Sequence, residues 1–189
     1  MEGLFMRVIS GTAKGTKLNS IESLSTRPTL DRVKEALFNI IQTHLQDSNI
    51  LDLFAGSGAL GIEALSRGAK YCTFCDKSYE SVKMLKQNIE RTKFENKSTV
   101  LVKDYKKSIK ILEKNKFDII FIDPPYKQNI AVDSIKLILE HNIFAKDGII
   151  ILETDEEERE MKELEKINLE VYDVRKYGRV KLIFLRERG

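Results

Sequence analysis

Cysteine, histidine and proline are scarce in this 189-residue chain, which has two, two and three of them. Cys72 and Cys75 make no disulfide framework, so a reducing compartment fits. They stand three apart in a segment that reads as a strand, where such positions point to opposite faces. His44 and His141 lie far off in sequence and read as helix-end residues, so no metal site is expected. Nothing resembles a Ser/His/Asp relay. No apolar run nears the ~18 residues of a membrane span, and the N-terminus lacks a secretory pattern. Repeats and low-complexity segments are missing too. What is left is the expectation of a soluble cytoplasmic protein, one domain with a small appendage. Met6 looks like a natural start as much as Met1 does.

A hydrophobic fraction of 42% is enough for a core, and a net charge of +3 does not announce a nucleic-acid binder. The distribution of charge says more. From Lys77 to Lys116 there are 12 Lys/Arg against 5 Asp/Glu, whereas from Glu153 to Glu170 there are 3 against 9. Solvated helix faces explain both blocks, and the first also permits a polyanionic partner.

Val8 to Leu18 reads as a strand or hairpin broken by Gly11 and Gly15, with Arg7, Lys14 and Lys17 projecting. In the next segment Pro28 disfavours helix at Arg27 and Thr29 can cap one. Val33, Ala36, Leu37, Ile40 and Ile41 then form an apolar stripe at helical spacing. After Asn49 strands alternate with helices. The strands are Ile50–Phe54, Tyr71–Cys75, Thr99–Lys103, Phe117–Ile122 and Gly148–Glu153. Helical stretches fall near Ala59–Arg67, Ser78–Thr92, Tyr105–Lys114 and Ile130–His141, and "DEEERE" reads as an exposed helix start. Such alternation predicts an α/β fold with a parallel sheet covered on both faces. Leu169–Lys176 and Arg179–Arg186, joined at Tyr177-Gly178, predict an antiparallel hairpin at its edge. The division expected is a basic N-terminal extension, residues 1–48, and a main domain, residues 49–189.

"ILDLFAGSGALGIEAL" sets Gly56, Gly58 and Gly61 between a strand and its helix, where glycine lets the backbone turn sharply and approach a ligand. Asp76, twenty residues after Gly56 at a strand end, is placed to accept two ribose hydroxyls. Literally this is the dinucleotide pattern G-x-G-x-x-G. Yet Asp52-Leu53-Phe54-Ala55 intervene after the strand, and Glu63 opens the following helix. Carboxylates there repel a pyrophosphate and favour a sulfonium or an amino group, so S-adenosylmethionine suits the charges better. Asp104, beyond the third strand, either meets an adenine amino group or is an ordinary turn aspartate.

"FDIIFIDPPYKQN" ends a buried strand in Asp123, Pro124, Pro125 and Tyr126. Prolines cannot extend a ladder and stiffen the backbone, so the Pro124 carbonyl has a defined direction. Two acceptors, that carbonyl and the Asp123 carboxylate, can grip both N–H bonds of a base's exocyclic amine. They favour a pyramidal nitrogen whose lone pair faces a methyl group, and they offset its developing positive charge. Tyr126 would stack on a base held outside any helix. The bland alternative is a tight loop in which Asp123 caps the next helix and Tyr126 packs.

"LDLFAGSGALGIEALSRGA" and "FIDPPY" are similar to the amino-methyltransferases of the class I S-adenosylmethionine-dependent fold. With "MRVISG", "KGTKL" and "TRPTLDRVKEALFNII", the chain resembles the RsmD family of bacterial 16S ribosomal RNA guanine-N2 methyltransferases, from Met6 to the "KYG" near Gly178. The resemblance implies a Rossmann-like seven-stranded sheet with a reversed final hairpin. It implies that Asp52, Phe54, Gly56 and Gly58 line the methionine end of the cofactor, Asp76 the ribose and Asp104 the adenine edge. Asp123, Pro124, Pro125 and Tyr126 would hold the target base, while Arg7, Lys14, Lys17, Arg27, Thr29 and Arg32 would face RNA. Where the family has "RGRKL" this chain has Lys14-Gly15-Thr16-Lys17-Leu18, which keeps charge but loses bidentate geometry. A monomer acting on 16S ribosomal RNA, within the small subunit or its precursor, is implied. The rivals are a DNA adenine-N6 methyltransferase with the same catalytic tip, a nucleotide-binding oxidoreductase, and a non-catalytic RNA-binding relative.

Overall fold

A computed structural model of the chain describes residues 6–20, 27–125 and 130–189. Two short strands, β1 (Met6–Arg7) and β2 (Lys17–Leu18), pair antiparallel. Helices α1 (Arg27–Ile40) and α2 (Gln42–Leu45) lead into alternating strands and helices: β3 (Asn49–Asp52), α3 (Ala59–Ser66), β4 (Tyr71–Asp76), α4 (Tyr79–Thr92) and β5 (Ser98–Val102). The order continues with α5 (Tyr105–Ile111), β6 (Phe117–Ile122), α6 (Ile130–Glu140), β7 (Phe144–Thr154), α7 (Glu157–Leu164), β8 (Leu169–Tyr177) and β9 (Val180–Glu187).

The seven-stranded sheet has the order β5-β4-β3-β6-β7-β9-β8. β5 to β7 run parallel, and β9 pairs antiparallel with both β7 and β8. This is the α/β architecture with a reversed C-terminal hairpin that the pattern predicts. Each inner strand is apolar on both faces, and successive side chains part to opposite sides. Ile50, Ile119, Phe121, Ile151 and Phe184 pack beneath α1, α3 and α4, while Leu51, Ile120, Ile122, Leu152 and Leu185 pack beneath α5, α6 and α7. Cys72 and Cys75 fall in these two separate clusters, and burial raises both thiol pKa values, that of Cys75 to about 12.

Two expectations need correcting. α1 begins at Arg27, before Pro28, because proline is tolerated in a helix's first turn, where its missing N–H has no partner to lose. Thr29 therefore lies inside the helix and does not precede it as a cap. Second, the ladder expected within Val8–Leu18 is only two residues long and pairs Met6–Arg7, ahead of Val8, with Lys17–Leu18. Past it the chain closes on itself, the Val8 N–H donating to the Thr16 carbonyl at 3.0 Å and the Gly15 N–H to the Val8 carbonyl at 2.8 Å, while other polar groups of the segment turn to α3. The buried Glu63 carboxylate accepts the Ile9 N–H at 2.8 Å and the Ser10 N–H at 3.0 Å. Ser66 Oγ donates to the Ser10 carbonyl and accepts from the Ala13 N–H.

Glu63 also carries ion pairs, 2.8 Å to Arg67 and 3.4 Å to Lys34, whose side chain is 5% exposed. Lys34 in turn donates to the Arg7 carbonyl at 2.7 Å. Burial lowers the Lys34 pKa, and Glu63 and Asp31 oppose that shift. One carboxylate thus fastens the N-terminal strand pair, α1 and α3 together. Glu63→Gln should cost about 3–5 kcal/mol in urea unfolding, because it leaves the buried Lys34 and the half-buried Arg67 without their counter-charge. A loss below 1 kcal/mol would show that water already screens the cluster.

Candidate functional site

In the sheet order, β3 is the switch point: the chain leaves it toward β4 on one side and is met by β6 on the other. Crevices outside the carboxyl ends of strands at such a point are where open α/β sheets take ligands. Asp52 stands opposite Phe121, and Leu53 N–H donates to the Phe121 carbonyl at 3.1 Å. The segment that begins at Asp52 and the one that begins at Asp123 therefore leave the sheet side by side. Asp123 is half-buried, Pro124 buried and Pro125 exposed. Tyr126 lies outside the described residues.

The loop between β3 and α3 is pinned by the two acids flanking it. Asp76 Oδ2 accepts the Gly56 N–H and Oδ1 the Ser78 N–H, each at 2.8 Å. Two bonds leave lone pairs for further donors. Asp52, 3% exposed, accepts the Gly61 N–H at 3.1 Å. Gly58, the N-cap of α3, has no side chain to cap it, so Asp52 supplies an acceptor to the helix's first turn. The three glycines differ in what they make room for. A Cβ on Gly58 would lie 2.3 Å from Leu85 and one on Gly61 2.3 Å from Phe74, so both serve helix packing. On Gly56, at φ +52°, it would meet nothing within 4 Å; this is where the loop opens outward.

Glu63 is not part of this site. Its carboxylate turns to the N-terminal segment, so it gives no argument against a phosphate ligand. The negative character rests on Asp76 first, because the Asp52 carboxyl is ionised only in part near neutral pH. Burial, reinforced by the charge of Asp76 and opposed by the Gly61 N–H, raises the Asp52 pKa to about 7.

Asp104 is the N-cap of α5, its carboxylate accepting the Lys107 N–H at 3.1 Å, and that bond lowers its pKa. The Phe54 ring lies 5.7 Å from that of Tyr105. Tyr105 donates its hydroxyl to Asp133 at 2.6 Å, and Lys106 is 3.1 Å from the same carboxylate. Sequence reasoning missed this Tyr105–Asp133 contact, which ties the wall beside Asp104 to α6. It also missed Asn88, fully buried on the apolar stripe of α4, whose amide donates to the Ser57 carbonyl at 2.8 Å and the Asn19 carbonyl at 3.0 Å. An asparagine in an otherwise apolar stripe was the available signal. Arg7, Lys14, Lys17 and Arg32 are exposed around the N-terminal segment, Arg7 lying 3.5 Å from Asp31. For Arg27 and Thr29 only the backbone is described.

The Asp52 shift predicts a pH dependence with a definite sign. Between pH 3.8 and about 7 the unfolded carboxyl ionises while the folded one keeps its proton, so folding loses stability as pH rises across that window. Asp52→Asn keeps an acceptor for Gly61 and removes the titration. Chemical unfolding of the ligand-free protein should show the variant gaining on the parent from pH 4 to 7, by a few kcal/mol at most. Parallel stability curves would refute the shift.

Residues 6–186 match the family model described as Conserved hypothetical protein 95. Over 154 residues the chain is 37% identical to the Ribosomal RNA small subunit methyltransferase D of Haemophilus influenzae, covering 80% of each. The solved structure of yhhF from Escherichia coli matches at a TM-score of 0.80 and 28% identity, over 97% of this chain and 99% of that one. SMU.776, solved in complex with SAH, shares the fold at a TM-score of 0.64 and 21% identity, over 78% of this chain and 48% of that one. The chain therefore belongs to the Conserved hypothetical protein 95 family, the RsmD family that its motifs resemble.

Proposed function

We propose that this protein transfers a methyl group from S-adenosylmethionine to the exocyclic N2 of a guanine in 16S ribosomal RNA. The observation that carries the proposal is the register of Asp52 against Phe121, which starts the glycine loop and the Asp123-Pro124-Pro125 turn from adjacent strand ends. Ribosomal RNA methylation in the Haemophilus relative supports the substrate class. SAH in SMU.776 and the acidic loop support the cofactor.

The residues present fit that cofactor. Gly56 leaves open space at the loop, and the Asp76 carboxylate beside it, joined by Asp52 once a cation draws off its proton, favours a cationic ligand over a pyrophosphate. Asp76 takes the ribose hydroxyls with the lone pairs left by Gly56 and Ser78; Asp52 with Phe54 and Gly58 lines the methionine end, and Asp104 the adenine edge. Bound there, S-adenosylmethionine supplies an electrophilic methyl on a sulfonium. Asp123 and the Pro124 carbonyl accept the two N–H bonds of the guanine amine and turn its lone pair toward that methyl. Tyr126 stacks on the extruded base, with Pro125 keeping the turn stiff. The amine nitrogen would gain positive charge as it accepts the methyl, S-adenosylhomocysteine being the leaving group, and Asp123 would stabilise that charge until one N–H proton passes to solvent. Residues 1–48 form the RNA-facing extension, with Arg7, Lys14, Lys17, Arg27, Thr29 and Arg32 as its contacts. The protein works as a cytoplasmic monomer without a metal.

Incubation with methyl-labelled cofactor, DNA and small-subunit RNA or particles tests the substrate, and nucleoside digestion tests the position. Label in N2-methylguanosine of the RNA is expected. Label only in DNA, or in another nucleoside, overturns the corresponding part. Asp123→Ala should lower turnover at least a hundredfold while S-adenosylhomocysteine binding by calorimetry stays within twofold. Asp76→Ala should do the reverse to affinity, weakening S-adenosylhomocysteine tenfold or more with RNA binding nearly intact. Equal loss of both ligands in either variant contradicts the assigned roles.

A further inference from the structure

The outer face of α4 has no part in the cofactor loop or the methyl-accepting turn, yet its chemistry is distinctive. Tyr79 is 81% exposed, the more exposed of the two large hydrophobic side chains found at the surface among the described residues. It stands three residues after Asp76, at the rim of the site. Lys83 and Lys86 follow it at four- and three-residue spacing and are exposed, so all three share one helix face. From Lys77 to Lys97 there are six Lys/Arg against three Glu. Among the described residues none of those six cations is held in an ion pair; Arg91 alone is committed, to a backbone carbonyl and an amide oxygen. An aromatic ring flanked by uncommitted lysines is the pattern that binds single-stranded nucleic acid by stacking and phosphate contact.

This face is joined to the N-terminal strand pair by direct bonds. Arg91 donates to the Lys17 carbonyl at 2.8 Å and to Asn19 Oδ1 at 3.1 Å. Asn19 Nδ2 donates to Gln87 at 3.2 Å, and the Asn19 N–H to the buried Asn88 at 2.8 Å. The exposed Lys14 and Lys17 therefore continue the α4 surface. On the other side of the sheet the start of α7 is acidic, with Asp155 and Glu158 exposed, and repels a polyanion.

We infer that α4 and the N-terminal strand pair form one continuous RNA-docking surface, on which Tyr79 stacks a base of a single-stranded segment and Lys83 and Lys86 contact its phosphates. The inference rests on the RNA substrate proposed above and adds to it the part of the protein that holds RNA beyond the target nucleotide. It commits to RNA over a ribosomal protein because the face offers cations and one ring, not an apolar patch.

The test measures binding of full-length small-subunit ribosomal RNA, transcribed in vitro, across a salt series. For Lys83→Gln/Lys86→Gln the slope of log K against log salt should shrink by about 1.5, since each lost contact removes about 0.7–0.9. Tyr79→Ala should weaken binding about 5- to 150-fold. Thermal midpoints and S-adenosylhomocysteine affinity should match the parent's. Unchanged slope and affinity, with the parent still methylating this RNA, overturn the surface and leave the function standing. A parent that methylates no RNA overturns the function, and the surface with it. Tyr79→Ala that loses S-adenosylhomocysteine as much as RNA makes Tyr79 a cover for the cofactor. Variants that bind naked RNA normally but lose assembled particles identify the partner as protein and refute the inference.

Discussion

Parallel pairing of β3 with β6 is the constraint from which the site follows. The crossovers from β3 run outward to β4 and β5 on one side, and the chain returns through β6 on the other. Only at that reversal do two strand ends face a crevice not closed by a connecting helix. Setting Asp52 opposite Phe121 fixes the rest by chain length alone: Asp123 comes two residues beyond its strand partner, and Gly56 four beyond Asp52. A register slip of one residue would exchange the side chains that β6 sends to its two faces, and the close packing of Ile119 and Phe121 on one face and of Ile120 and Ile122 on the other resists it.

Around that frame, buried polar groups do the fastening. Glu63 binds the N-terminal segment and α1 to α3, Asn88 binds Asn19 to the Ser57 carbonyl, and Asp52 and Asp76 hold the loop. Apolar packing alone would let the short N-terminal strands slide, since two residues of ladder define little. Directional bonds to buried groups permit one arrangement, because leaving any of them unmade is costly. The exposed ion pair of Arg7 with Asp31 adds little to this, which leaves the Arg7 guanidinium available to solvent or to a polyanion.

Most of the architecture was legible where burial on both faces writes a continuous apolar run. Phe117–Ile122 was bounded correctly at both ends, and the pairing of a glycine loop with a proline-ended strand followed from position alone. β7 begins four residues earlier than expected, because Lys146 and Asp147 interrupt the apolar pattern at an irregularity in its pairing with β6. Lys34, Glu63 and Asn88 were illegible for a common reason. Pattern reading assigns polar residues to solvent, and only the folded chain reveals that, Arg67 beside Glu63 apart, their side-chain partners are 27 to 69 positions away. Tyr126, the most specific element of the proposed catalytic turn, lies outside the described residues, so its part in the site rests on the motif.

The central claim is that an acid-lined cofactor loop and the Asp123 turn open onto one shared cavity. A crystal structure with S-adenosylhomocysteine bound tests it most directly. The ribose hydroxyls should rest on Asp76 and the sulfur should face the Asp123 carboxylate across a space wide enough for a methyl and a base amine. A ligand seated elsewhere, or a wall of protein between its sulfur and Asp123, would contradict the account.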